Sequence, residues 1–239
     1  MTLSAFVLSG WAMPQAVFLP VQQRCKLQAL ALPGISSWSG IFEDRQITWT
    51  DLVSALDRQL PDKQIVLAGW SLGGLIATCY AALHPQRVKH LLLIGCNPCV
   101  VACNTWSEAM SQSLFDTFVT GVQSNITVTL KKFMFLCSQG SKDKRSMFRD
   151  LQQLMTAQSI NTTLLIQLLS MLSDDLRPVL AKVQCPVTHL LGKQDALVPH
   201  SINEWIKQQY PQHQVQLIDG GHLFFREQPE TIARIFNKL

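Results

Sequence analysis

The chain has 239 residues, of which 47% are hydrophobic and 15% are charged, and its formal net charge at pH 7 is +4. This length suits one large α/β domain with a well-buried core. No apolar stretch has the length and continuity of a transmembrane helix. The chain begins with a strand-like segment rather than a basic region followed by a cleavage site, so the sequence predicts a cytoplasmic protein that does not bind membranes.

Strand-like and helix-like segments alternate in the pattern that builds a parallel sheet with helices on both faces. In chain order the sequence predicts strands at residues 3–8 and 26–30, a helix at 50–59, a strand at 65–68, a helix over 75–80 and a strand at 90–94. Strands at 187–191 and 215–218 follow, with helices near 201–209 and 229–237. The predicted fold class is therefore α/β, with a mostly parallel central sheet flanked by helices.

Residues 99–181 interrupt this alternation. They contain few glycines and no clear strand, and they show repeated helical periodicity, as in Leu164, Leu165, Leu168, Leu169 and Leu172. We interpret this stretch as a helical cap inserted into a core formed by residues 1–98 and 182–239. A cap of this kind excludes water and shapes a pocket, although most of its leucines are expected simply to pack it on the core.

Residues 69–73 read Gly-Trp-Ser-Leu-Gly between an apolar strand and a helix. A G-x-S-x-G at such a junction is typical of a nucleophile elbow, where the serine backbone is strained and glycines let the neighbouring chain pass closely. Ser71 would then stand exposed above the sheet. The N–H of Leu72 and the helix dipole could stabilise a developing oxyanion. The motif predicts acyl-transfer chemistry.

A short Gly/Ser pattern also occurs in ordinary turns, so the partners must follow in the chain order serine, acid, histidine. A predicted strand ends shortly before Asp195, and His222 follows the last predicted strand. Asp219 is an alternative acid, but its separation of three residues along the same loop makes a contact with His222 Nδ1 less natural. The histidines at positions 84, 90, 189, 200 and 213 are interpreted as structural or solvated.

Seven cysteines are scattered along the chain, an odd number that favours reduced thiols over a disulfide framework. Cys96, Cys99 and Cys103 form a local cluster. A zinc site usually needs a fourth ligand and paired spacings, so we interpret these residues as packing thiols. We expect no metal and no other cofactor.

The predicted cap carries an uneven charge. From residue 131 to residue 150 there are six basic side chains and two acidic ones, a local net charge of +4. A basic rim beside an acyl pocket suits an acidic partner, although a solvated helix face explains these charges equally well. Nucleic acid is disfavoured as a partner because basic and aromatic residues are not interleaved along an exposed strand surface.

Four segments together resemble one enzyme family: residues 67–75 around the elbow, Asn97-Pro98-Cys99, residues 195–199 and Gly221-His222. The chain resembles the BioH family, the pimeloyl-[acyl-carrier protein] methyl ester carboxylesterases of biotin synthesis, which have the α/β-hydrolase fold. The likeness covers most of the chain and is strongest around the elbow and in the C-terminal third. It implies hydrolysis of the methyl ester of pimeloyl-acyl-carrier protein, with release of methanol.

The resemblance also implies roles for individual residues. Ser71 matches the nucleophile, Asp195 the acid and His222 the base. Trp11 and Leu72 match the backbone oxyanion donors and contact the substrate, and Phe133 matches a pocket residue near the acyl chain. Lys132, Arg145 and Arg149 match basic cap residues that meet the acidic carrier protein, which is therefore the expected partner of a monomeric enzyme.

Two positions depart from the family's pattern. Ser9 replaces the usual histidine before Gly10-Trp11, and Ala31 replaces the usual aspartate before Leu-Pro-Gly. The oxyanion donors are backbone groups, so the predicted machinery survives both changes. The sequence leaves open a general short-chain carboxylesterase or lipase, a carbon–carbon bond hydrolase, and a non-catalytic ligand receptor of the same fold. The presence of serine, acid and histidine argues against the receptor.

Overall fold

The computed structural model describes residues 3–33, 45–156 and 158–239. Within these residues the centre of the molecule is a parallel sheet of six strands in the order β2-β1-β3-β4-β5-β6. The strands are β1 (Ser4–Leu8), β2 (Leu27–Leu30), β3 (Ile65–Trp70), β4 (Val88–Ile94), β5 (Val187–Gly192) and β6 (Gln214–Ile218). The predicted α/β class and its strands are confirmed.

Helices connect the strands. They are α1 (Leu19–Gln22), α2 (Trp49–Asp57), α3 (Leu72–Leu83), α4 (Gln112–Ser124), α5 (Ile126–Ser138), α6 (Lys144–Thr156), α7 (Thr162–Ser170), α8 (Arg177–Leu180), α9 (Ile202–Gln209), α10 (Phe224–Glu227) and α11 (Pro229–Phe236). The predicted helices correspond to α2, α3, α9 and α11. The short α1 and α10 were not predicted, because four residues are too few to show a helical period.

The burial of a strand explains how apolar its sequence is. Every residue of β3 is buried, and its sequence is a nearly continuous apolar run, as expected for a parallel strand covered by helices on both faces. The edge strand β6 has a mixed sequence, and three of its five residues are exposed. The difference between the two sequences thus matches their positions, with β3 inside the sheet and β6 at its edge.

The chain between β4 and β5 is helical. Among its described residues, α4 to α8 and a 3₁₀ turn at Met171–Ser173 form the regular structure, and only isolated bridges are strand-like. The periodic leucines identified in the sequence, Leu164, Leu165, Leu168, Leu169 and Leu172, are all buried. We call α4 to α8 the helical segment. No helix in the described parts of the chain has the length and apolarity needed to cross a membrane.

Candidate active site

Ser71 occupies the turn between β3 and α3. Its backbone has φ 54° and ψ −122°, a conformation that L-residues adopt only under constraint. The turn needs both flanking glycines: a Cβ on Gly69 would lie 2.2 Å from Gly73 O, and a Cβ on Gly73 would lie 2.3 Å from Ser9 O. Close packing between the start of α3 and the strand ends therefore holds Ser71 in this conformation.

Asp195 and His222 meet above the same end of the sheet. Asp195 lies in the loop after β5, His222 follows β6, and the distance from His222 Nδ1 to Asp195 Oδ2 is 2.7 Å, with both side chains fully buried. The other carboxylate oxygen of Asp195 accepts the N–H groups of Leu197, at 2.8 Å, and Val198, at 3.0 Å. The carboxylate is therefore fixed in position and fixes the imidazole in turn.

The second ring nitrogen of His222 remains available. Nε2 is buried and has no hydrogen-bond partner among the described residues. A neutral imidazole that donates its Nδ1 proton to a carboxylate carries its lone pair on Nε2. This nitrogen can therefore accept a proton from a group that enters the site.

Asp219 has a different partner. Its carboxylate binds Lys193 Nζ at 2.9 Å, and its side chain is 75% exposed. Asp195 already occupies His222 Nδ1. The structure thus brings Asp195, and not Asp219, to the histidine.

Trp11 follows β1 at the same end of the sheet. Its indole donates to Leu165 O at 2.9 Å, and its ring meets the ring of Phe133 edge to face, with centroids 5.0 Å apart. The next residue, Ala12, has a φ of 53°, so the backbone here is also constrained. Neither the N–H of Trp11 nor that of Leu72, at the start of α3, donates to a backbone acceptor among the described residues.

A small, partly open cavity lies beside Ser71. It measures about 40 Å³, enough for a few water molecules at most, and Trp11, Phe115, Phe118, Phe133 and Leu172 form much of its apolar wall. The amide of Asn97 also borders the cavity, but it donates to Glu108 O and accepts the N–H of Cys99. This space is too small for an acyl chain, so side chains around it must move to admit one.

Two open grooves flank α5 on the outer surface. The α4–α5 groove, of about 430 Å³, is bordered by Phe118, Lys131 and Lys132, and the α5–α6 groove, of about 510 Å³, by Lys142, Lys144 and Arg145. Phe135 borders both grooves and is 56% exposed. Phe118 borders both the α4–α5 groove and the cavity beside Ser71, so it lies between the two spaces.

The basic side chains around these grooves are solvent-exposed. None of them forms an ion pair within 4.0 Å with a described acidic residue; they are Lys131, Lys132, Lys142, Lys144, Arg145 and Arg149. Their charge is therefore not neutralised within the described structure, and the surface around α5 presents a positive field to solvent.

Comparison with known proteins identifies the family. The alpha/beta hydrolase family matches residues 7–235 of the chain. The chain belongs to the alpha/beta hydrolase family. It is 30% identical over 98% of its length to the pimeloyl-[acyl-carrier protein] methyl ester esterase of Nitrosomonas europaea, covering 94% of that protein. It is 31% identical to the esterase of the same name from Aromatoleum aromaticum, with 95% of this chain and 94% of that protein aligned. Within the hydrolases the chain therefore belongs with these carboxylic ester hydrolases.

Solved structures give the same fold. This alpha/beta hydrolase superposes on an esterase from Exiguobacterium antarcticum with a TM-score of 0.84 at 19% identity, over all of this chain and 92% of that one. A bromoperoxidase from Bacillus anthracis matches with a TM-score of 0.84 at 18% identity, over all of this chain and 93% of that one. At this level of identity the two likenesses show the fold alone.

The sequence analysis did not predict the supporting roles that two residues have in the site of this hydrolase. Trp70 donates its indole N–H to His222 O at 3.1 Å, and its ring lies 5.1 Å from the imidazole. Gly95 has a φ of 48°, and a Cβ there would lie 3.3 Å from His222 Nδ1 and 3.5 Å from Asp195 Oδ2. The glycine directly after β4 was the available signal, because that position borders the site in any parallel sheet whose active residues follow the strands.

Proposed function

We propose that this protein is a serine carboxylesterase that hydrolyses the methyl ester of pimeloyl-[acyl-carrier protein] to the free acid and methanol in biotin synthesis. The observation that carries the proposal is the full-length similarity to esterases of that name. The paired Asp195 and His222, at the same end of the sheet as the strained Ser71, supply the chemistry that such a reaction needs. No cofactor is needed for this chemistry.

In the first half of the reaction, His222 Nε2 takes the proton of Ser71 as Oγ attacks the ester carbonyl. Asp195 holds the imidazole in the tautomer with the proton on Nδ1 and stabilises the imidazolium that forms. The backbone N–H groups of Trp11 and Leu72 bind the oxyanion. His222 then returns the proton to the departing methoxide, which leaves as methanol.

In the second half, water replaces methanol. His222 accepts a proton from the water as it attacks the acyl-enzyme, and the same two N–H groups bind the second oxyanion. Collapse of this intermediate returns the proton to Ser71 and releases the acid. Because Nε2 has no other partner among the described residues, no competing hydrogen bond must be broken before either proton transfer.

We further propose that residues 99–181 act as the cap and that an acyl-carrier protein docks on it. Acidic side chains of the carrier would meet Lys132, Arg145 and Arg149, while Phe135 supplies an exposed apolar contact between the two grooves. A carrier seated there would deliver its arm along the α4–α5 groove toward Phe118. That side chain would have to swing aside to admit the acyl chain.

We also propose a cell compartment and an oligomeric state for the enzyme. All seven cysteines are free thiols, which fits a reducing cytoplasm. An acidic carrier that leaves after each turnover needs an open cap surface, so we propose that the enzyme works as a monomer.

The first experiment compares purified wild-type protein and Ser71→Ala on pimeloyl-[acyl-carrier protein] methyl ester and on a short p-nitrophenyl ester. We expect rapid hydrolysis of the carrier ester by wild type and a loss of several orders of magnitude in the variant. Near-normal activity of Ser71→Ala would overturn the assignment of the nucleophile. Hydrolysis of the small ester alone would identify a general carboxylesterase.

A second experiment tests the docking surface. We expect Arg145→Glu with Arg149→Glu to lower kcat/KM on the carrier ester at least tenfold and to leave the small ester nearly unaffected, because the charges lie outside the cavity. Arg234→Glu, a charge reversal of an exposed residue on α11, is the matched control. Equal losses on both substrates would contradict the docking role.

A further inference from the structure

Two cysteines lie close together where the chain leaves β4 and approaches the helical segment. Cys99 is buried, with 3% of its surface exposed, and Cys103 is exposed. Trp106 connects them: its indole donates to Cys99 O at 2.9 Å, and its backbone exchanges two hydrogen bonds of 2.9 Å with Cys103. The chain thus folds back on itself, and both cysteine residues are held against Trp106 within one turn.

The surroundings of the two thiols differ. Cys103 Sγ lies 3.5 Å from Thr105 Oγ1, and hydrogen bonds from Thr105 together with the charge of Arg177 lower the pKa of the Cys103 thiol. Arg177 is held by Asp175 at 2.7 Å, donates to Thr105 and stacks on the ring of Trp106. Burial, and then the charge of Asp175, raises the pKa of the Cys99 thiol to about 11.

We propose that Cys103 and Cys99 are a peroxide-sensitive pair that forms a reversible disulfide. Cys103 is the accessible thiolate that reacts first, and Cys99 is the protected thiol that resolves the product. An exposed, activated cysteine beside a second thiol is the arrangement found at redox-sensing sites. The other cysteines with resolved shifts, at positions 25, 79, 96, 137 and 185, all have pKa values raised by burial.

The chemistry needs one equivalent of a hydroperoxide. The Cys103 thiolate attacks one peroxide oxygen, the O–O bond breaks, and Cys103 becomes a sulfenic acid while the other oxygen leaves as water or an alcohol. Cys99 sulfur then attacks the sulfenic sulfur, the S–S bond forms, the S–O bond breaks, and a water molecule leaves with the thiol proton. The peroxide gains the two electrons that the thiols lose.

The bond would alter the pocket. Cys99 lies between Asn97 and Val100, which both border the cavity beside Ser71, and its thiol now contacts Val101 O at 3.4 Å. Val101 pairs with Met110, another residue of the cavity wall. Drawing Cys99 toward Cys103 breaks the thiol contact and displaces these wall residues. We therefore expect oxidation to lower esterase activity and a dithiol reductant to restore it.

The test treats the purified full-length protein with one equivalent of hydrogen peroxide, blocks free thiols, and maps peptides without reduction. We expect a peptide two hydrogens lighter, with the bond between residues 99 and 103. Cys103→Ser should give no bond, and Cys99→Ser should stop at a sulfenic acid that dimedone captures. Cys96→Ser, which removes the nearby buried thiol, is the matched control and should still form the bond.

A second measurement compares the reactivity of two thiols. A thiol reagent at pH 7 should modify Cys103 about tenfold or more faster than the half-buried Cys185, whose pKa is raised by burial. Equal rates at the two residues, or absence of the 99–103 bond in peroxide-treated wild type, would overturn the proposal. So would loss of activity on oxidation that persists unchanged in Cys103→Ser.

Discussion

Gly140, in the turn after α5, lies directly against Gly221, the residue before His222. A Cβ on Gly140 would stand 2.7 Å from Gly221 Cα and 2.4 Å from Gln194 O, and a Cβ on Gly221 would stand 1.8 Å from Gln139 O. Gln194 precedes Asp195, and its N–H donates to Gly220 O at 3.0 Å. The helix that carries Phe133 therefore ends on both loops that bring Asp195 and His222 together.

We expect Gly140→Ala to disturb these loops. Gly140 has a φ of 77°, and the new methyl group has no space, so the turn must move. The free energy of unfolding should fall by about 1 to 3 kcal/mol, and kcat on a small free ester should fall with it. Thermal unfolding and esterase assays measure both changes.

Gly121→Ala is the matched control for this prediction. Gly121 lies in α4, and the three atoms nearest to a Cβ there would all belong to the side chain of Thr129. This variant can disturb the packing of α4 on α5, but it leaves the loops of Asp195 and His222 untouched, so kcat on the small ester should stay close to wild type. A Gly140→Ala enzyme with normal kcat would show that the contact has no influence on the site.

Asp195→Asn tests the partner of His222. The asparagine can keep its oxygen on the N–H groups of Leu197 and Val198, which places its NH₂ group against His222 Nδ1. The imidazole must then carry its proton on Nε2 and cannot act as the base. We expect kcat to fall about 10⁴-fold with little loss of stability.

Asp219→Asn distinguishes the two candidate acids. Its carboxylate pairs with Lys193 at the surface, so the variant should retain nearly full activity. Steady-state kinetics of both variants on a small ester give the answer. If Asp219→Asn were the inactive variant and Asp195→Asn the active one, the assignment of Asp195 as the acid would be wrong.

The sequence predicted the sheet and the residues at its carboxyl edge because both depend on local patterns. Ser71 was found through glycines required by one tight turn, and Asp195 and His222 through the strands that precede them. Gly140 and Gly221 could not be paired, since their contact joins segments 81 residues apart in the chain. A glycine in a sequence can indicate a position with no room for a side chain, but it does not identify the neighbouring segment that fills this space.

The buried histidines show the same limit of prediction from sequence. His189 and His213 were interpreted as structural or solvated because neither has a carboxylate at a spacing that suggests a pair. In the folded chain His189 Nε2 lies 3.1 Å from His213 Nδ1, and the ring of Tyr210 stacks on His213 at 4.7 Å. The interpretation as structural residues agrees with this burial, but the pairing depends on the register of β5 and β6, which single-chain periodicity does not give.

The pair of His189 and His213 should make the folded protein less stable in acid. Burial, and then the neighbouring His213, lowers the pKa of His189 from 6.5 to about 3, and burial lowers the pKa of His213 to about 4. Well above pH 6.5 both residues are neutral in the folded and unfolded chain. Between pH 6.5 and 4 only the unfolded chain binds the protons, so stability falls as the pH falls, by about 2 kcal/mol per histidine at pH 5.

Urea unfolding of wild type and His213→Gln at pH 7.5 and pH 5 checks this prediction. The variant lacks one of the titrating groups, so its loss of stability between the two pH values should be smaller by about 2 kcal/mol. His200→Gln, at an exposed position, should keep the wild-type difference. An unchanged pH dependence in His213→Gln would mean that the pair does not cause the acid sensitivity.

Phe118→Ala tests the separation between the α4–α5 groove and the cavity beside Ser71. Phe118 borders both spaces, so its removal should join them and give a long acyl chain a path that the wild type opens only by moving this side chain. We expect the ratio of kcat/KM for a long p-nitrophenyl ester to that for a short one to rise about tenfold. The cost should be a loss of about 3 kcal/mol in the free energy of unfolding, since Phe118 is buried.

Phe115→Ala is the matched control because Phe115 borders the cavity but not the groove. It removes the same number of buried atoms from the same helix and enlarges the cavity without opening it to the surface. If Phe118 is the barrier, the ratio of long to short ester should change much more in Phe118→Ala than in Phe115→Ala. Equal changes would mean that cavity volume, and not a path through the α4–α5 groove, limits which acyl chains reach Ser71.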